Sequence, residues 1–166
     1  NFYPEGTIIS SGLSKWCGAG GWRLGFFAIP NQLEELKKSL KILCSESFTS
    51  VSAPIHYAAI EAYSGNYSTY LKKVKKILFS TGMYVYENLK SNFVNISKPE
   101  GGFYLFPEFV NAKFHSSSEM CKDILNKTGV ALLPGSDFGL EPKKMIARLS
   151  YTDFDGENFL KNTSGS

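Results

Sequence analysis

The sequence predicts an α/β fold that gives way to a smaller α+β unit. Three observations carry this. Thr7-Ile8-Ile9-Ser10-Ser11 is a β-branched stretch ending in small residues, the pattern of a buried strand entering a loop. Helical spacing follows the next apolar stretch and continues into a long segment, Tyr67 to Lys90. After that segment the texture changes to short strand-like runs broken by Gly and Pro.

Taken in order, Trp22 to Ile29 reads as a second strand closed by Pro30. Asn31 is placed to cap a helix over 32–43, with leucines at 33, 36, 40 and 43 on one stripe. Ser52-Ala53-Pro54 starts another helix, to about Tyr63, with Pro54 tolerated in its first turn. In the long helix Tyr70, Leu71, Val74, Leu78, Val85 and Leu89 recur at helical spacing, and lysines take the other face. A helix that long is suited to connecting two domains. Phe93 to Ile96 and Gly102 to Phe106 read as strands around a Pro99–Gly102 turn. Ser117 to Lys127 reads as a serine-capped helix ended by Gly129, followed by strands at Val130–Leu133 and Met145–Ser150. The expected organisation is residues 1–65, a connecting helix over 66–92, and a small unit over 93–166.

Bulk properties narrow the classes. An apolar fraction of 43% with 20% charged residues describes a globular protein, not a disordered one. The net charge of +3 is weak, and the Lys72-Lys73 and Lys75-Lys76 runs read as a solvated helix face; no nucleic-acid partner is expected. No apolar run approaches the roughly eighteen residues a membrane span needs, so no membrane association is expected. Cys17, Cys44 and Cys121 are scattered and odd in number, without disulfide or zinc spacing, which favours a reducing compartment, the cytoplasm, and no metal site. His56 and His115 stand apart from other ligand-type residues.

The chain has sixteen lysines but two arginines, Arg23 and Arg148. A planar, bidentate cation suits a site where phosphate or carboxylate is held in fixed geometry. Arg23 follows Lys15 by eight residues in the run Gly12-Leu13-Ser14-Lys15-Trp16-Cys17-Gly18-Ala19-Gly20-Gly21-Trp22-Arg23-Leu24-Gly25, with no other charge between them. A lysine here is either a solvated surface residue or a nucleophilic amine able to form a Schiff base. Its company favours the second reading: Ser14 beside it, glycines that admit close backbone approach, and an arginine placed for a phosphate. An amine and an arginine in one small region suit a cofactor bearing both an aldehyde and a phosphate.

The run from Gly12 to Gly25 resembles, position by position, the attachment-site signature of the class I/II pyridoxal-phosphate-dependent aminotransferases of fold type I. The resemblance continues through Pro99 to Phe106, Val130 to Gly139, and Ile146 to Tyr151. It implies that residues 1–65 are the end of a large cofactor-binding domain and 93–166 most of the small one. It implies that Lys15 carries pyridoxal 5'-phosphate, that Arg23 and Ser14 bind its phosphate, and that Arg148 holds the substrate α-carboxylate. It implies amino-group transfer between an amino acid and a 2-oxo acid in a homodimer, with Ser47 to Pro54 as a candidate cross-subunit segment. Because the family is more than twice as long, the chain is expected to be a C-terminal fragment, inactive alone, with the residues that tune the cofactor upstream of Asn1.

Two positions depart from the family. Gly12 stands where many relatives carry the first serine of Ser-x-Ser-Lys, so Ser11 is a candidate substitute. The stretch from Cys44 to His56 has no arginine or lysine, which argues against one subgroup's way of binding a distal carboxylate. A C–S lyase or synthase of the same fold would share all three cationic residues, and remains the alternative activity.

Overall fold

The structure is a computed structural model that describes residues 2–163, with side chains described through Phe159. It divides into two compact units, Asn1–Leu71 and Lys72–Ser166, joined within a long helix.

In the first unit, β1 (Ile9–Gly12) and β2 (Gly25–Ala28) form an antiparallel pair with Ile9 opposite Ala28 and Gly12 opposite Gly25. Gly12 has no alternative there: a Cβ on it would lie 2.7 Å from the Leu24 carbonyl oxygen. The strand expected from Trp22 begins only at Gly25, because Gly20–Trp22 is a 3-10 turn and Arg23 is left-handed at φ 55°. A 3-10 turn at Asn31–Leu33 leads into α1 (Glu34–Ser47), four residues beyond the expected end. Nothing in Cys44-Ser45-Glu46-Ser47 breaks a helix. The chain stops instead where Phe48 and Thr49 both donate to the Cys44 carbonyl, Thr49 at φ 65°. Leu36 and Leu43 of the leucine stripe are exposed. Helix α2 (Ala53–Ser64) starts after Ser52 as expected, with Pro54 in its first turn.

The buried residues of this unit are Leu13, Leu24 and Ala59, surrounded by Trp16, Cys17, Ala19, Val51, Ile55 and Ala62. This small core clasps the two ends of the glycine-rich loop against α2.

Helix α3 (Ser68–Leu89) matches the periodic segment closely, with Lys72, Lys73, Lys75 and Lys76 all exposed. In the second unit Gly82 of α3 lets the Tyr151 ring approach; a Cβ there would lie 3.0 Å from its Cζ and hydroxyl. Tyr151 then donates to the Gly102 carbonyl at 3.0 Å. The strands pair across the sequence rather than along it. β3 (Val94–Asn95) pairs with β5 (Glu108–Phe109), not with β4 (Tyr104–Leu105) across the expected turn. β4 and β6 (Leu133–Pro134) flank β7 (Ala147–Ser150) in a second, antiparallel sheet. Helix α4 (Ser117–Thr128) is capped by Ser116, whose side chain accepts from the Glu119 amide, and ends at Gly129 in the left-handed region. Its Met120 and Cys121 pack with Met145 and Ala147, backed by Phe109, Phe114, Ile124 and Leu132. Helix α5 (Gly156–Thr163) closes the described chain.

Candidate functional site

The loop that links β1 to β2 is anchored at both ends by apolar burial. Leu13 is wholly buried and donates its amide to the Leu24 carbonyl, and Leu24 is buried in turn. Ser14 and Lys15 follow the first anchor directly, and Arg23 precedes the second. Between them the chain folds on itself by Gly18 N–H to Lys15 C=O, Ala19 N–H to Leu13 C=O and Trp22 N–H to Ala19 C=O. Gly18, at φ 67°, makes the reversal possible. Residues eight apart in sequence thereby come to one place.

That place is a cavity of about 360 Å³ lined by Ser11, Gly12, Ser14, Lys15, Arg23, Leu24 and Gly25. Its lining holds two cations, two hydroxyls and no carboxylate. The bare backbone at Gly12 forms part of the wall, and the close Leu24 carbonyl explains why no side chain stands there. Ser11 lines the same cavity, so a hydroxyl is present even though position 12 lacks one. Arg23 Nη1 donates to the Gly20 carbonyl at 2.8 Å, a bond that fixes the guanidinium and leaves further N–H groups for an anion. Among the described residues Arg23 forms no ion pair. Its left-handed backbone is sparsely populated for a non-glycine residue and costs about 1–3 kcal/mol. Lys15 is exposed and lines the cavity together with Arg23.

Arg148 belongs to the second unit, in the middle strand β7. Strand alternation sends Ala147 into the core and Arg148 to the opposite face. There its guanidinium carbon lies 4.3 Å from the centre of the Tyr104 ring and 4.6 Å from that of Phe138. The structure thus brings Lys15, Ser14 and Arg23 together, and sets Arg148 among its own aromatic neighbours. Sequence reasoning missed Tyr104 and Phe138 as neighbours of Arg148, because neither strand pairing nor the turn at Gly135–Phe138 announces which residue they face.

The fold is that of the aminotransferases. The chain superposes on aromatic aminotransferase from Pyrococcus horikoshii with a TM-score of 0.76 at 28% identity, over 96% of this chain and 41% of that one. With alanine aminotransferase from Pyrococcus furiosus the TM-score is 0.73 at 32% identity, over 87% of this chain and 37% of that one. Residues 2–159 match the aminotransferase class I and II family, and the chain belongs to it. It is 34% identical to aspartate aminotransferase of Bacillus subtilis over 152 residues, which are 89% of this chain and 37% of that protein. The chain therefore spans well under half the length of the curated relatives it matches. Among the described residues no helix is long and apolar enough to cross a membrane.

Proposed function

We propose that this chain is part of a pyridoxal-phosphate-dependent aminotransferase, and that the Lys15–Arg23 loop holds the cofactor. The observation that carries the reading is the cavity itself, in which an amine, a guanidinium and two hydroxyls surround a glycine floor without any carboxylate. A doubly charged phosphate requires such a donor set: the fork of Arg23 supplies charge-assisted hydrogen bonds, and Ser11 and Ser14 fill the remaining acceptor sites. A side chain at position 12 would project into the Leu24 carbonyl, so the backbone there stays free for close approach. The residues present fit the group.

When bound, pyridoxal phosphate supplies the electron sink that makes a Cα–H bond of an amino acid acidic. The chain's own residues supply placement and proton transfer. Lys15 Nζ would hold the cofactor until an amino acid displaces it, and would then serve as base and acid in the 1,3-proton shift, taking the proton from Cα and delivering it two atoms away on the cofactor side. Arg23 and Ser14 anchor the phosphate end. Arg148 holds the substrate α-carboxylate and so fixes the direction of the Cα–H bond. In this reading residues 1–65 belong to the large domain, 66–92 to the connecting helix and 93–166 to the small domain. The substrates are an amino acid and a 2-oxo acid, the assembly is a homodimer with Ser47 to Pro54 at the partner, and the compartment is the cytoplasm.

The test combines trapping with product analysis on the protein that contains this chain. Borohydride reduction in the presence of pyridoxal phosphate should attach the cofactor's mass to Lys15 and to no other lysine. Attachment elsewhere, or undiminished attachment in Lys15→Ala, overturns the reading. With an isotope-labelled amino acid, a labelled 2-oxo acid marks transamination, whereas ammonia and pyruvate would mark the lyase of the same fold.

A further inference from the structure

The aromatic surroundings of Arg148 come from two elements, β4 and the 3-10 turn that follows β6. Tyr104 on β4 is paired with Ser150, two residues beyond Arg148, so Tyr104 and Arg148 are diagonal neighbours on one sheet face. Phe138 ends the 3-10 turn Gly135–Phe138 that follows β6, and β6 is itself paired with β7 through Leu133 and Arg148. Gly139, at φ 82°, turns the chain away directly afterwards. Phe138 is braced in turn by Phe106, edge-on at 5.6 Å and 85°. The guanidinium lies over both the Tyr104 and Phe138 rings, and among the described residues it forms no ion pair.

Rings attract a guanidinium through its flat π face, while its N–H groups point outward in the plane. Stacking therefore fixes the plane of the group without using the edge that a carboxylate grips. A long arginine without such support must lose rotamer freedom at the moment of binding. We propose that Tyr104 and Phe138 are positioning residues that set the plane of the Arg148 guanidinium in advance and present its N–H fork to a carboxylate in one orientation. The proposal rests on the reading of Arg148 as the carboxylate anchor. It makes the aromatic cluster, rather than any acidic partner, the support of that anchor.

The scarcity of arginine makes the test direct. In the chain labelled with ¹⁵N-arginine only two side-chain Nε–H signals exist, one from Arg23 and one from Arg148, assigned by the loss of one in Arg148→Lys. The Arg148 side-chain protons should be shifted upfield of free arginine by the rings, and its Nε–H signal should move on titration with sodium pyruvate. Tyr104→Phe should leave both behaviours intact. Tyr104→Leu and Phe138→Leu should each weaken pyruvate binding by about two- to five-fold, with Phe138→Tyr restoring it. Backbone amide spectra of the variants report whether the second unit keeps its fold. Leucine variants that stay folded and bind pyruvate as the parent does overturn the proposal alone. A parent Arg148 signal that is ring-shifted yet indifferent to pyruvate overturns the carboxylate reading, and the proposal with it. An unshifted parent signal overturns the stacking without recourse to any variant.

Discussion

In the first unit the residues that pack are those flanking the glycine loop; in the second they line one face of a sheet. Leu13, Leu24 and Ala59 are buried where the loop meets α2, while every residue of β1 and β2 except the half-buried Gly12 is exposed, Phe27 at 60%. Met120, Cys121, Met145 and Ala147 instead form a core between α4 and β7, with further apolar residues behind them. The two arginines follow the same division. Arg23 is held by the chain's own backbone, through a hydrogen bond and a special conformation, whereas Arg148 is held by the side chains of neighbouring elements. A site can be made rigid by pinning a loop or by packing around it, and this chain uses one method in each unit.

The sharpest way to break that contrast is to open the two cores. Met120→Ala removes a side chain that is 1% exposed and should cost about 2–5 kcal/mol in urea unfolding, with amide exchange accelerated in α4 and β7. Leu13→Ala should cost about as much, but its exchange signature should centre on the loop, and the cofactor-attachment yield at Lys15 should fall with it. If Leu13→Ala leaves attachment unchanged, the first core does not serve the loop.

Next in size is Gly12→Ala. Its Cβ meets backbone rather than a side chain that could move aside, so the strand pair must shift, at about 1–3 kcal/mol in the same unfolding measurement. The second unit should be indifferent to it.

Titration distinguishes the units further. Burial pushes the Tyr151 phenol above its ordinary 10.0, and burial, then the Asp137 carboxylate, pushes the Cys121 thiol above 9.0. Both groups ionise first in the unfolded chain as pH rises, so the unfolded state binds fewer protons and stability falls with pH. The contribution is complete below about pH 9 and is lost progressively above it, first through Cys121 and then through Tyr151. The urea midpoint measured across that range should decline, and Cys121→Ala with Tyr151→Phe should flatten the slope. Tyr151→Phe also removes the bond to Gly102, worth about 0.5–1.5 kcal/mol at neutral pH.

The smallest effect belongs to the exposed strand. Phe27→Ser should change stability by no more than about 0.5 kcal/mol, because the ring it removes already stands largely in solvent. A loss of 2 kcal/mol there would show that the first unit buries β2 in solution.

What could be read from the sequence was what the chain does locally. The helix over 68–89 and the capped helix over 117–128 follow from periodicity and from Ser116 and Gly129, all within a few residues of one another. The Lys15–Arg23 spacing was legible because loop closure needs only glycines and two leucine anchors in the same run. The two-residue strands were not, since two residues carry no full alternation and their pairing is decided far along the chain. Pro107 accepts from Ala147 across 40 residues, and Phe109 donates to Met145 across 36. Arg23 was misread as strand for the same kind of reason: Trp22-Arg23-Leu24 has strand composition, but the turn at Gly20–Trp22 and the buried Leu24 impose a conformation that its own propensity opposes. Tyr104 and Phe138 were hidden because they act on a residue in a third element.

The left-handed backbone at Arg23 sets two selective pressures against each other at one position. Glycine would relax it, and asparagine nearly so, each removing the cation proposed to anchor a phosphate. Screening variants of this chain for heat tolerance alone should therefore enrich losses at residue 23, and a thermostable line that keeps its arginine would have been kept by function.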